Sequence, residues 1–283
     1  MKAGETPASI ASPAALLGQS RQVRVPPLFL LKAGGALPPI FVAHGLGGNV
    51  LGLVPLATQM RVGHPIYGMQ ARGLDGFGEP LQRIEDMAEY YFEAITRVQP
   101  HGPYFLVGFS LGGLVTLEVA RLLSKNGEKI ALLAMLDSYP DRRYLSIAQR
   151  GRLVMRLGMH RAANLLKASG LRDPLTKEAH DRDHNANAAV MDEAAALAMK
   201  RVTESQYRAL RNYRPRFYAG KIKFVRAENC FFLPDDPVGV WAHLAADFEA
   251  ETVPGEHVGL LTTQVENLAS TLSRYVEAAI AGK

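Results

Sequence analysis

Tyr104-Phe105-Leu106-Val107-Gly108-Phe109-Ser110-Leu111-Gly112-Gly113 is the stretch that decides the fold. An apolar run typical of a buried strand leads directly into Gly-x-Ser-x-Gly, and helical periodicity follows from Leu111 to about residue 125. This order of strand, serine and helix predicts a nucleophile elbow, the sharp turn that raises a serine hydroxyl above the edge of a sheet. The helix would also direct its first N–H groups at an oxyanion formed there. Ser110 is therefore the candidate nucleophile.

Strands and helices alternate on both sides of this stretch. Apolar runs predict strands at residues 40–43, 65–68, 130–136, 221–226 and 250–253. Helical periodicity predicts helices at residues 50–60, 84–98 and 263–280. This alternation predicts an α/β protein with a mostly parallel sheet and helices on both faces.

Residues 138–214 interrupt the alternation. They contain no convincing strand, and their mixture of apolar and basic residues suggests several short helices. We interpret this segment as a cap over the carboxyl edge of the sheet, where ligands bind in open α/β folds. The predicted organisation is a flexible lead-in at residues 1–25, a core at 26–138 and 215–283, and a helical lid insertion at 139–214.

The composition indicates a soluble globular protein. The chain has 283 residues, of which 48% are hydrophobic and 21% are charged, and this excludes a wholly disordered chain. The longest apolar run, residues 130–136, is far shorter than the roughly 20 residues of a membrane-spanning helix. The single cysteine, Cys230, cannot form an internal disulfide, and we interpret it as a packing residue. No convincing signal peptide begins the chain, so we expect a cytoplasmic protein.

A serine hydroxyl is a weak nucleophile and needs a base. After a strand–serine–helix elbow, the base is expected to be a histidine near the C-terminal end of the sequence. His257 lies between the last predicted strand and the last predicted helix and is the candidate base. His243 is the only other histidine after residue 184, and we predict it to lie in a helix over residues 240–246 with no catalytic role.

Two positions could supply the acid that orients the histidine. Asp137 closes the strand at residues 130–136, whereas Asp235 and Asp236 follow the next strand, where many α/β-hydrolases place this residue. The spacing alone favours Asp137 only slightly.

The second oxyanion donor, besides the Leu111 N–H, should come from the turn His44-Gly45-Leu46-Gly47-Gly48, which ends the strand expected beside the nucleophile strand. Leu46 is well placed to donate its backbone N–H, and His44 is interpreted as structural. His180 and His184 have the spacing of zinc ligands on a helix, but without a third convincing ligand we interpret them as part of a solvated loop.

The basic excess of the chain is concentrated in residues 141–172, where eight basic residues and one acidic residue give a charge of +7. Such a patch suits an acidic partner or phosphate groups, although a solvated helix face explains it equally well. Arg150, Arg152 and Arg156 are the candidate docking residues. No nucleic-acid-binding signature accompanies the charge.

The sequence resembles the thioesterase domains that end nonribosomal peptide and polyketide assembly lines. The resemblance rests on several motifs in order, at residues 41–48, 67–75, 84–88, 101–113, 213–220 and 254–257. It implies an α/β-hydrolase fold with a nucleophile at Ser110, a base at His257 and an acid at Asp137. It also implies oxyanion donors at the backbone of Leu46 and Leu111.

The resemblance implies a serine thioesterase that hydrolyses or cyclises an acyl, polyketidyl or peptidyl thioester. The thiol would be phosphopantetheine on a carrier protein, or coenzyme A, and no metal or organic cofactor is expected. No carrier domain with a phosphopantetheine serine motif precedes residue 26, so we expect a free-standing protein, with a domain excised from a longer assembly-line protein as the alternative. A carboxylesterase or lipase with the same triad, and a catalytically inactive binding module, are the alternatives.

Overall fold

A seven-stranded sheet forms the centre of the computed structural model, which describes residues 25–169, 193–230 and 232–282. The strands are β1 (Leu28–Lys32), β2 (Ile40–Ala43), β3 (Ile66–Met69), β4 (Tyr104–Phe109), β5 (Ile130–Leu136), β6 (Tyr218–Ala227) and β7 (Ala245–Val253). Their order across the sheet is β1-β3-β2-β4-β5-β6-β7. Only the β1–β3 pair is antiparallel, so the predicted mostly parallel sheet is confirmed.

Helices cover both faces of this sheet. They are α1 (Val54–Gln59), α2 (Ile84–Val98), α3 (Leu111–Lys125), α4 (Ile147–Ser169), α5 (Glu193–Asn212), α6 (Pro237–Trp241) and α7 (Val265–Ile280). α2 and α3 pack in the core on one face, while α1 and α7 pack in the core on the other. None of the described helices is long and apolar enough to cross a membrane.

The central strands are apolar along their whole length because each face of the sheet has its own core. In β2, Phe41 and Ala43 belong to the core with α2 and α3, whereas Ile40 and Val42 belong to the core with α1 and α7. Successive side chains of a strand point to opposite faces, so a strand that is covered on both sides must be apolar at every position. This explains why the predicted runs at residues 40–43 and 130–136 match β2 and β5.

Three features outside the insertion differ from the sequence-based expectations. β1 was not predicted, although residues 28–31 are a continuous apolar run; it is a half-buried edge strand that pairs antiparallel with β3. The helix expected at residues 50–60 is a 3₁₀ turn at Leu51–Leu53 followed by the short α1. His243 lies in an exposed turn between α6 and β7, not in a helix, because pairing with β6 extends β7 back to Ala245.

The insertion also differs, since its described part forms two long helices and not several short ones. α4 has 23 residues and α5 has 20, with a 3₁₀ turn at Arg142–Tyr144 before them. α4 runs through Gly151 and Gly158 without a break, since glycine lowers helix stability by only about 1 kcal/mol. The lead-in at residues 1–24 and the pair His180 and His184 lie outside the described residues.

Candidate active site

Ser110 occupies a strained turn between β4 and α3. Its φ of 54° and ψ of −120° are unusual for a residue with a side chain, and such backbone strain costs on the order of 1–3 kcal/mol. The Ser110 N–H donates to the Leu136 carbonyl at 2.8 Å, which ties the turn to the end of β5. The structure therefore has the strand–serine–helix geometry that the sequence predicts.

The glycines around Ser110 are required by close backbone approaches. A Cβ on Gly108 would lie 2.3 Å from the Gly112 carbonyl oxygen, and one on Gly112 would lie 2.3 Å from the His44 carbonyl oxygen. Any side chain at either position would force the backbone apart. The Gly-x-Ser-x-Gly pattern thus reflects how tightly β4, α3 and the end of β2 pack.

Asp137 lies directly after β5 and is held by three hydrogen bonds. Its N–H donates to the Val225 carbonyl at 2.8 Å, and its Oδ1 accepts from the Ala227 N–H at 3.0 Å. The second carboxylate oxygen, Oδ2, lies 3.1 Å from Nδ1 of His257. Asp137 is also one of two described non-glycine residues with positive φ, at 47°, and the other is Ser110.

His257 lies in the loop after β7, and two aromatic rings hold its imidazole. The Phe109 ring stacks on it with centroids 4.7 Å apart, and the Phe232 ring meets it edge-on at 5.5 Å. The hydrogen bond to Asp137 uses Nδ1, so Nε2 is the ring nitrogen available for proton transfer. Neither phenylalanine was identified from the sequence, although Phe109 lies beside the candidate nucleophile and could have been.

Asp235 and Asp236, the alternative acids, form ion pairs with α4, the first long helix of the insertion. Arg152 contacts both, with N–O distances of 3.5 Å, and Arg156 lies 3.8 Å from Asp235. Asp236 also caps α6 by accepting from the Gly239 N–H at 2.8 Å. The structure thus pairs His257 with Asp137 and gives the other two aspartates structural partners.

The glycine turn, residues 45–48, lies beside the elbow because β2 pairs with β4 and Ala43 is in register with Gly108. A Cβ on Gly45 would lie 2.9 Å from the Phe109 ring and 3.5 Å from the Ser110 Cβ. The turn closes with a 3.3 Å hydrogen bond from the Gly48 N–H to the Gly45 carbonyl. Gly45, which precedes Leu46, therefore lies against the elbow. Leu111 begins α3, so its N–H has no acceptor within the helix.

His44 is structural in this arrangement. It is 1% exposed, its Nδ1 lies 2.6 Å from the Gly45 carbonyl oxygen, and its Nε2 lies 2.8 Å from the Tyr91 hydroxyl. Because a carbonyl only accepts, Nδ1 carries the proton and Nε2 accepts from Tyr91. Burial lowers the pKa of His44 to about 4, so the ring stays neutral near pH 7.

Two of the three candidate docking arginines have partners within the chain. Arg156 donates to the Cys230 carbonyl at 2.5 Å and to the Leu233 carbonyl at 3.2 Å, besides its contact with Asp235. Arg152 pairs with the two aspartates. Arg150 is exposed on α4.

Cys230 is buried next to the paired acid and histidine, which its sequence position did not indicate. Among the described residues, Asp137, Cys230 and His257 form the one group whose ligand atoms, within 4.8 Å of one another, could hold a metal ion. A metal there would have to break the hydrogen bond between Asp137 and His257. Burial raises the pKa of the Cys230 thiol to about 12, so the group lacks a thiolate near pH 7. We therefore assign Cys230 to packing.

Comparison with known families gives a match over most of the chain. The model of the thioesterase domain family matches residues 38–276. A dimodular nonribosomal peptide synthase of Bacillus subtilis (strain 168) is 34% identical over 219 residues, which is 74% of this chain and 9% of that protein. Polyketide synthase PksR of the same organism is 37% identical over 152 residues, which is 53% of this chain and 6% of that protein. The chain thus spans less than a tenth of the length of either relative.

Solved structures share the fold. The thioesterase domain of NocB, in covalent complex with a fluorophosphonate nocardicin G analog, has a TM-score of 0.63 at 18% identity, covering 88% of this chain and 99% of that one. The Vlm2 thioesterase domain, bound with a dodecadepsipeptide, has a TM-score of 0.61 at 22% identity, covering 88% of this chain and 97% of that one. These likenesses agree with the α/β-hydrolase fold expected from the sequence.

Proposed function

Because the chain belongs to the thioesterase domain family, we propose that it releases an acyl, polyketidyl or peptidyl chain from a thioester by means of Ser110, His257 and Asp137. The thiol that leaves would be phosphopantetheine on a carrier protein, or coenzyme A. The observation that carries this proposal is the hydrogen bond between His257 Nδ1 and Asp137 Oδ2 next to the Ser110 elbow. The family match supports this activity over that of a carboxylesterase or lipase.

The first half of the reaction forms an acyl-enzyme. His257 Nε2 takes the proton of the Ser110 hydroxyl as the Ser110 oxygen attacks the thioester carbonyl. The Asp137 carboxylate stabilises the imidazolium that forms. The N–H groups of Leu46 and Leu111 donate to the negatively charged oxygen of the tetrahedral intermediate. When the intermediate collapses, the carbon–sulfur bond breaks, and the leaving thiolate takes the proton from His257.

The second half of the reaction removes the acyl group from Ser110. His257 accepts a proton from water, or from an amine or hydroxyl of the bound chain, as that group attacks the ester carbonyl. The same two N–H groups stabilise the second oxyanion, and His257 returns a proton to the Ser110 oxygen. Attack by water gives a free acid, and attack by a group of the chain itself gives a ring.

Intact-mass spectrometry with a panel of substrates tests this proposal. A fluorophosphonate should add one phosphonyl group to the wild-type protein and none to Ser110→Ala. Thioesters of N-acetylcysteamine, coenzyme A and a carrier-bound pantetheine should give an acyl-enzyme, whereas the matching alcohol esters should react much more slowly. Faster turnover of the alcohol esters would assign a carboxylesterase, and a lack of labelling would assign a binding module.

A further inference from the structure

Gln206 of α5 contacts the glycine turn from the side of the lid insertion. Its Oε1 accepts a hydrogen bond from the Gly47 N–H at 2.8 Å, although the two residues are far apart in the sequence. The Gln206 side chain is 1% exposed. No part of the reaction described above uses this residue.

The bond to Gln206 determines which N–H of the glycine turn can serve an oxyanion. Within the turn, the Gly48 N–H is taken by the Gly45 carbonyl, and the Gly47 N–H is taken by Gln206. The Leu46 N–H has no hydrogen-bond acceptor in the part of the chain that the structure describes. The Leu46 N–H is thus available to a ligand, whereas the N–H groups of Gly47 and Gly48 already have acceptors within the chain.

Close packing also leaves the turn little freedom. Gly48 has a φ of +79°, and a Cβ there would lie 2.4 Å from the Ala71 Cβ and 3.0 Å from Val202 Cγ1. The Ala71 N–H donates to the Gly48 carbonyl at 3.0 Å. The turn is therefore held on one side by the segment after β3 and on the other by α5.

The other polar atom of Gln206 argues against a purely stabilising role. Its Nε2 is buried without a hydrogen-bond partner among the described residues. A buried unpaired donor costs about 1–3 kcal/mol, which an apolar side chain of the same shape would avoid. The bond to the Gly47 N–H and the unpaired Nε2 therefore roughly offset each other in folding stability, so stability alone gives little reason for an amide at this position.

We propose that Gln206 is a positioning residue for the oxyanion hole, which holds the glycine turn so that the Leu46 N–H points at the reacting carbonyl. The proposal rests on the proposed function of Leu46. An oxyanion donor must lie about 2.7–3.1 Å from the oxygen, and loss of one donor costs about 10²–10³ in kcat in serine hydrolases. Without the bond to Gln206 the turn still carries the Leu46 N–H but no longer fixes its position. The expected loss of kcat is therefore smaller than for removal of the donor.

Gln206→Met and Gln206→Leu test the proposal, because both replace the amide by an apolar side chain of similar size and so remove the acceptor. Each should lower kcat for an acyl thioester about 10- to 100-fold, with KM within about threefold of wild type. The second-order rate constant of fluorophosphonate labelling should fall with kcat, since the phosphoryl oxygen uses the same hole. The free energy of unfolding should change by less than about 1 kcal/mol, because one unpaired N–H replaces another.

Thr203→Val is the matched control. Thr203 lies one turn earlier on α5, with its hydroxyl 4.0 Å from a Cβ built on Gly47, and that hydroxyl donates to the Met199 carbonyl and not to the turn. This variant should keep wild-type kcat and labelling rate. Wild-type kcat in both Gln206 variants, or an equal loss in Thr203→Val, would overturn the proposal. Labelling needs no thioester, so its rate still tests Gln206 even if the wild-type protein turns over no thioester.

Discussion

Two residues with side chains adopt positive φ in the described chain, and both belong to the proposed triad. Ser110 has a φ of 54° and Asp137 a φ of 47°. Each is held by a bond from its N–H to the next strand, Ser110 to Leu136 at the end of β5 and Asp137 to Val225 of β6. Strained backbone persists only where its surroundings fix it, and such strain concentrates at functional sites. The sheet thus supplies the rigidity that both side chains need.

Ser110→Ala should abolish acyl-enzyme formation and reduce kcat by several orders of magnitude, because the covalent route needs the serine oxygen. Intact-mass spectrometry after a short incubation with an acyl thioester measures the acyl-enzyme directly. The fold should be unchanged, so circular dichroism and the unfolding midpoint should match wild type. More than about a tenth of wild-type kcat in this variant would move the nucleophile to another residue.

Asp137→Asn should lower kcat by up to about 10⁴, the loss seen for the equivalent change in serine proteases, because the amide would hold the wrong tautomer of His257. Asp235→Asn is the control, since that carboxylate contacts Arg152 and Arg156 and not His257. It should change kcat by less than about threefold. Steady-state kinetics on one thioester compares the two variants, and the reverse pattern would identify Asp235 as the acid.

At the scale of elements, the lid helix α4 is attached to the loop that covers the proposed base. Arg156 donates to the backbone carbonyls of Cys230 and Leu233, and Phe232 between them packs edge-on against His257. One arginine thus connects α4 to the environment of the histidine. The basic character of α4 has in part this structural cause.

Arg156→Met should lower the free energy of unfolding by about 1.5–3 kcal/mol, because it removes charge-assisted hydrogen bonds to two carbonyls and leaves those acceptors partly buried. The Arg156 side chain is only 22% exposed, so solvent replaces these bonds poorly. Arg150→Met on the same helix is the control and should change stability by less than about 0.5 kcal/mol, since Arg150 is exposed. Urea denaturation measures both, and equal stability of the two variants would contradict this role of Arg156.

The sequence predicts elements well where local pattern and tertiary packing agree. The predicted bounds of α2, α3 and β5 match the structure, because their apolar residues face a core at the period of the element. The first half of β7 was missed, because pairing with β6, and not an apolar run, makes it extended. β1 was missed although its residues are apolar, because a short run outside the strand–helix alternation does not by itself indicate a strand. The length of α5 was also not predicted, because its buried positions are mostly small or polar and give no clear apolar periodicity.

The same reasoning applies to the site. A turn motif and the chain order make Ser110 and His257 the candidates from the sequence alone. The choice between Asp137 and Asp235 could not be made from spacing, since it depends on which strand end meets the histidine. Gln206 gave no signal, because its one described hydrogen bond is with a residue that is distant in the sequence. Contacts of this kind become visible only when the fold is known.

At the scale of the whole molecule, the proposed site collects residues from the ends of four strands. Leu46 follows β2, Ser110 follows β4, Asp137 follows β5 and His257 follows β7. Parallel strands place all of these ends at one edge of the sheet, where ligands bind in open α/β folds. The insertion with the basic excess is joined to the core at the same edge, since β5 leads into it. The bonds from Arg156 to the Cys230 and Leu233 carbonyls place α4 beside the loop that contacts His257.

Arg150 offers the clearest test of whether this basic excess recruits a carrier. Arg152 and Arg156 pair with Asp235 and Asp236, so changing them would disturb the lid as well as its charge. Arg150→Glu alters an exposed position, and exposed charges act mainly on the rate of encounter. At low salt it should lower kcat/KM for a carrier-bound or coenzyme A thioester about two- to fivefold. It should leave kcat/KM for a small uncharged thioester unchanged, because the proposed triad is untouched.

Wild-type activity on the charged substrates should fall as salt rises, since screening acts beyond about 8 Å at physiological ionic strength, and the activity of the variant should depend less on salt. Equal kcat/KM of variant and wild type on the carrier-bound thioester at low salt would mean that Arg150 lies on a solvated helix face with no part in docking.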